Sequence, residues 1–173
     1  MHPRLAAILL PLFMVAFGST ASFAQKKLSA PLFSASFVEA SYLDLKPFVE
    51  KYKPTLLSKK QLANEYDPQQ IDYLLTYGLG KDRFRFYQTP EKTFALSYIC
   101  TSPRLLLAKG VRVGMSQAAF ESLFKRKVIG ATVQLGGYGE FELYTFTFTK
   151  QILTRIAYEC QLDWRKKEPT ASF

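Results

Sequence analysis

The chain has 173 residues, of which 48% are hydrophobic and 15% aromatic, with 23 Lys and Arg against 14 Asp and Glu and a formal net charge of +9. That length and apolar content supply a core for one domain and exclude a disordered chain.

Residues 1–24 read as a secretory signal peptide. Arg4 gives a basic start, Leu5 to Phe17 is an uncharged apolar run, and Ser22-Phe23-Ala24 places small residues at a cleavage site. The run falls short of the roughly 20 apolar residues of a membrane span, with a retained anchor as the other reading. No cysteine follows it for N-terminal lipidation. Cleavage removes His2, the only histidine, and Arg4, which leaves 22 basic and 14 acidic residues, a net charge of +8. A chain without imidazole excludes Ser-His-Asp and Cys-His nucleophiles and histidine-ligated metals. No metal, cofactor or catalytic residue is therefore assigned. The expected location is periplasmic or secreted.

In chain order, Phe33, Ala35 and Phe37 alternate within Leu32–Ala40 and favour a strand. Leu45 to Tyr52 suits a short helix, since Pro47 is tolerated in a first turn. Ser58 is positioned to cap a second, Lys59 to Tyr66. Asp67-Pro68-Gln69-Gln70 offers an N-cap, a proline at N1 and a capping-box partner. Ile71, Leu74 and Leu75 follow at helical spacing, so Pro68–Tyr77 is predicted helical, with Gly78 at C′; Tyr73 and Tyr77 favour the competing strand. Asp82 to Gln88 alternates, with Phe84 and Phe86 on one face and Arg83, Arg85 and Tyr87 on the other. Thr89-Pro90-Glu91-Lys92 is a turn, and Phe94, Leu96, Tyr98 and Cys100 form the next strand face.

Ser116 then caps a helix over 116–126. Met115 and Phe120 have the spacing of a hydrophobic staple, and Phe120, Leu123 and Phe124 line one face. Lys125, Arg126 and Lys127 suit the negative helix end, and Gly130 lets the chain leave. Gly136-Gly137-Tyr138-Gly139 reads as a turn; a phosphate loop would need a following helix and a Lys-Ser/Thr pair. Tyr144, Phe146 and Phe148 alternate on one strand. Lys150-Gln151 is a hairpin tip, and Ile152, Ile156, Tyr158, Cys160 and Leu162 share the face of the next strand.

The expected fold class is α+β: an antiparallel sheet packed against one main helix (116–126), with short N-terminal helices, in a single domain over 25–164 and a flexible basic tail over 165–173. Cys100 and Cys160, the only cysteines, are expected to form a disulfide. Two unpaired buried thiols are a second reading, and a reactive thiol pair, without a C-x-x-C or a histidine, a third.

Val111-Arg112-Val113-Gly114-Met115-Ser116, the helix, Tyr144-Thr145-Phe146 and Ile152-Leu153-Thr154-Arg155-Ile156 form a pattern over roughly the last 60 residues. It resembles the small lipoprotein component of the outer-membrane β-barrel assembly machinery and its β-lactamase-inhibitor-protein-like fold. The chain departs from that family in lacking a lipidated cysteine, in having Gly130-Ala131-Thr132 where a Gly-x-Pro often stands, and in its long N-terminal half. The resemblance implies a cell-envelope location and a binding or scaffold role.

Tyr87, Arg83, Arg85, Tyr138 and Trp164 are the binding candidates, and an envelope protein or an anionic membrane surface is the expected partner. Nucleic acid, although compatible with the Arg-aromatic alternation, is not expected of an exported chain. The alternative function is a histidine-free hydrolase acting on glycan through carboxylates. Glu140 and Glu142 would share one strand face and Glu159 would lie across the sheet.

Overall fold

A computed structural model describes residues 32–64, 67–137 and 142–160. The signal peptide, Tyr138, Glu140, Leu162, Trp164 and the tail lie outside the described residues. The elements run β1 (Leu32–Phe33), α1 (Ala35–Ala40), α2 (Leu45–Tyr52), β2 (Thr55–Ala63), β3 (Ile71–Leu79), β4 (Asp82–Gln88) and β5 (Thr93–Cys100). They continue with α3 (Gln117–Phe124), β6 (Thr132–Gly136), β7 (Glu142–Thr149) and β8 (Ile152–Cys160). The eight described strands join one sheet in the order β1-β6-β7-β8-β5-β4-β3-β2. Only β1 pairs parallel, with β6; the other neighbours are antiparallel.

This architecture corrects the expected fold class. The described residues are strand-rich, and α3 has eight residues, the same as α2, so no described helix is the main one. The segments predicted helical over Lys59–Tyr66 and Pro68–Tyr77 contribute β2 and β3 instead. Asp67 does act as a cap, but of a turn: its carboxylate accepts from Gln69 N–H and its carbonyl from Gln70 N–H, both at 3.0 Å. An Asx turn and a helix N-cap use the same side-chain chemistry, and β-prone Tyr73, Thr76 and Tyr77 carry the strand onward. Conversely, the alternation at 33–37 yields only two strand residues before α1 begins.

Helix α3 starts where expected. Ser116 Oγ accepts from Ala119 N–H at 3.2 Å, and Lys125 ends the helix by taking a left-handed φ of 50°. Its launch point is held by the sheet. Gly114 N–H donates to Leu153 O, Leu153 N–H to Met115 O and Gln117 N–H to Gln151 O, at 2.7–2.8 Å. This seat exists because β5 pairs with β8 only as far as Cys100–Ile156.

The described helices cover one face of the sheet. Phe37 of α1 lies 5.1 Å from Phe124 and 5.5 Å from Tyr144, ring to ring. Phe120 of α3 meets Phe146 at 5.0 Å and Phe148 at 5.3 Å. Farther along, Phe48 of α2 packs 4.7 Å from Phe84 and 5.5 Å from Phe86. Apart from the half-buried Phe124, these rings are almost wholly buried, and rings of this size remove large apolar areas from water. A bulge opposite Phe148 shifts the parity of β8, so Leu153 rather than Ile152 faces the core; Ile152 is exposed.

Candidate functional site

The register corrects the disulfide. Cys100 on β5 stands opposite Ile156, four residues along β8 from Cys160. At roughly 3.3 Å per residue the two Cα atoms are separated by more than about 10 Å, well beyond the ~7 Å limit of a bridge. Both are buried thiols outside any disulfide.

Cys100 instead belongs to a buried carboxylate site. Asp82 opens β4 on the core face and is 1% exposed. Thr101 N–H and Oγ1 donate to its Oδ1 at 2.7 and 2.8 Å. Ser102 Oγ and N–H donate to Oδ2 at 2.6 and 3.3 Å, and the Cys100 thiol at 3.3 Å. Burial pushes the Asp82 carboxyl up, but this shell of donors outweighs it and holds the group below the ordinary carboxylate range. Burial, and then the Asp82 charge, push the Cys100 thiol up to about 11. Such a thiol is no nucleophile near neutral pH. The site therefore fastens the start of β4 to the end of β5.

A second buried carboxylate, Asp72, lies on the open face at the base of β3. It accepts from Asn64 Nδ2 at 2.7 Å, from Gln70 Nε2 at 2.8 Å and from the Tyr87 hydroxyl. Burial again raises this carboxyl, and the three donors again bring it below its ordinary value. Tyr87, a binding candidate by sequence, is thus engaged in ordering the β2–β3 connection. Arg83 and Arg85 also lie on the open face, opposite Phe84 and Phe86 of the core. One Arg83 nitrogen donates to the carbonyls of Gly80 and Asp82 at 2.9 and 3.0 Å, bracing the β3–β4 turn.

Of the carboxylates proposed for hydrolysis, the two among the described residues, Glu142 and Glu159, do not converge. Glu142 pairs with buried Cys160 on the helix-covered face and accepts from the Tyr158 hydroxyl at 3.0 Å. Glu159 pairs with Leu143 on the opposite face. The sheet lies between them, so they cannot flank one glycosidic bond. Among the described residues no group of His, Cys, Asp and Glu could hold a metal ion.

What the structure does present is an edge. β2 is last in the strand order, and no described strand pairs along its outer side. Eight of its nine residues are exposed. Leu57 sits at a bulge between Leu56 and Ser58, with Gly78 beneath it. A Cβ on Gly78 would come within 2.9 Å of Leu57 Cδ1, so the glycine makes room for this side chain. Leu56 and Leu57 remain 47% and 49% exposed. Lys59 projects over the Tyr73 ring at 3.9 Å, and Lys60 lies on the other face. Sequence reasoning missed this edge because it placed helices there.

Comparison with protein-family models, with curated proteins and with solved structures found no match.

Proposed function

We propose that this protein is an exported binding module of the cell envelope that engages a partner protein by strand addition at β2. The observation that carries the reading is the nine-residue β2, exposed along its length and without a described neighbour at its outer side. An unpaired edge offers a row of backbone donors and acceptors that an extended segment can complete. Lys59 and Lys60 discourage indiscriminate edge pairing and favour an acidic strand, while Leu56 and Leu57 give apolar contacts for alternate side chains. The signal-like N-terminus and the resemblance over the last 60 residues support the envelope location.

The test is photo-cross-linking in the cell from position 57, with position 46 on α2 as control. Lys59→Pro and Lys60→Pro accompany it. Hydrogen-bond directions alternate along a strand, so one of the pair removes an outward N–H and leaves β3 pairing intact. A discrete adduct at 57, absent at 46 and lost in the proline variant that still folds, supports strand addition. Equal adducts at both positions, or none, would contradict it.

A further inference from the structure

A second surface lies at the far end of the sheet. Ala131 O accepts from Phe148 N–H at 2.7 Å, and β6–β7 pairing begins at Thr132–Thr147. The α3–β6 connection therefore returns beside the Lys150–Gln151 turn that joins β7 to β8. Ile129 in that connection is 82% exposed, more than any other large apolar side chain described. Ile152, just past the turn, is 40% exposed. Lys125, Arg126 and Lys127 precede Ile129 in the connection, Lys150 stands in the turn before Ile152, and all four are exposed.

The nearby acid, Glu121, has a structural task. Its carboxylate accepts from Val128 N–H at 2.9 Å and from Gln117 Nε2 at 3.1 Å, and its other oxygen lies 3.2 Å from Lys127 Nζ. Its side chain is 15% exposed, whereas that of Lys127 is 88% exposed. Glu121 thus fixes the shape of the connection while the cations and Ile129 stay in water.

We propose that this tip docks on a membrane surface bearing anionic headgroups. The tip offers one largely exposed isoleucine and four exposed cations, three of which line a shallow depression with Ala118, Glu121 and Ser122. An anionic leaflet attracts clustered Lys and Arg within a Debye length, and a branched apolar side chain can enter the acyl boundary while lysine stems reach back to the headgroups. A protein partner would instead be expected to meet a packed apolar centre. The proposal is independent of strand addition at β2.

The test is co-sedimentation of the full chain with vesicles of phosphatidylglycerol and phosphatidylethanolamine, against vesicles of phosphatidylcholine alone. Three variants are compared: Ile129→Ser, Arg126→Glu with Lys150→Glu, and a charge-matched control, Lys46→Glu with Lys92→Glu. The control residues lie on α2 and in the β4–β5 turn. The tip double variant is expected to weaken binding to anionic vesicles by at least about tenfold, and Ile129→Ser by about threefold, with unchanged thermal unfolding. The control is expected to change it less than about twofold. Equal losses in the control would assign the binding to diffuse charge and overturn the proposal. So would absence of binding to anionic vesicles, or binding to a poly-glutamate peptide in place of them, which would point to an acidic protein.

Discussion

At one edge of the sheet, the five-residue β6 is flanked by β1 and roofed by α1, whose Val38 would lie 3.0 Å from a Cβ on Gly137. At the other edge, β2 extends nine residues with almost every side chain in water. The first edge is finished in the way that protects a sheet from further pairing; the second relies on lysines. The difference separates stability from binding. Between α1, α3 and the β6–β8 wing the rings interlock, whereas β2 contributes little buried area and presents backbone.

This division makes graded predictions. Phe146→Ala removes a wholly buried ring that meets Phe37, Phe120 and Tyr144. It should cost about 3–5 kcal/mol in urea unfolding. Asp82→Asn, which breaks the carboxylate shell in the middle of the sheet, should cost about 2–3 kcal/mol near neutral pH. Because the Asp82 carboxyl is lowered on folding, its contribution is fully present above the unfolded value of about 3.9 and is lost as pH falls through the folded value. The asparagine variant should therefore show a shallower acid limb below about pH 4, measured by unfolding across pH. In the native protein Cys100 should resist iodoacetamide at pH 8, and denaturation should expose two alkylatable thiols by mass. A mass two hydrogens lighter would restore the disulfide.

Smaller effects sharpen the contrast. Lys150 and Gln151 both hold left-handed φ values, 49° and 63°, which the two-residue hairpin demands and Asn-Gly adopts more readily. Replacing the pair by Asn-Gly should raise stability by about 1 kcal/mol in the same assay. Leu56→Ser, at the open edge, should change stability by less than about 1 kcal/mol while weakening the adduct formed from position 57.

The parts of this fold that could be read from the sequence are those where one local signal acts alone. Phe84 and Phe86, or Tyr144, Phe146 and Phe148, alternate without interruption, and Ser116 has a single role. The Thr89–Lys92 turn also forms, with Lys92 N–H donating to Thr89 Oγ1 at 3.0 Å. Asp67 was ambiguous because one carboxylate can start a helix or close an Asx turn, and only the pairing of β3 with β2 and β4 decides between them. The bulge in β8 leaves no trace in alternation, so Ile152 was placed on the wrong face. The cysteine pairing depended on a register set by residues sixty positions apart.

The carboxylate sites were partly accessible to sequence reasoning. Extending the Phe84–Phe86 face back to Asp82 places a charge on the core side, which is a signal for a buried, hydrogen-bonded acid. Its donors, Thr101 and Ser102, adjoin β4 only through the β4–β5 pairing. Asp72 could be found only once β3 was known to be a strand. The open edge required the same knowledge.

Residue-resolved amide hydrogen exchange tests the contrast between the two edges most directly. Among residues 55–63 alternate amides should exchange rapidly and the others slowly, while β7, paired on both sides by β6 and β8, should be protected throughout its paired length. Uniform protection of β2, equal to that of β7, would mean that its outer side is already occupied, and strand addition there would fall.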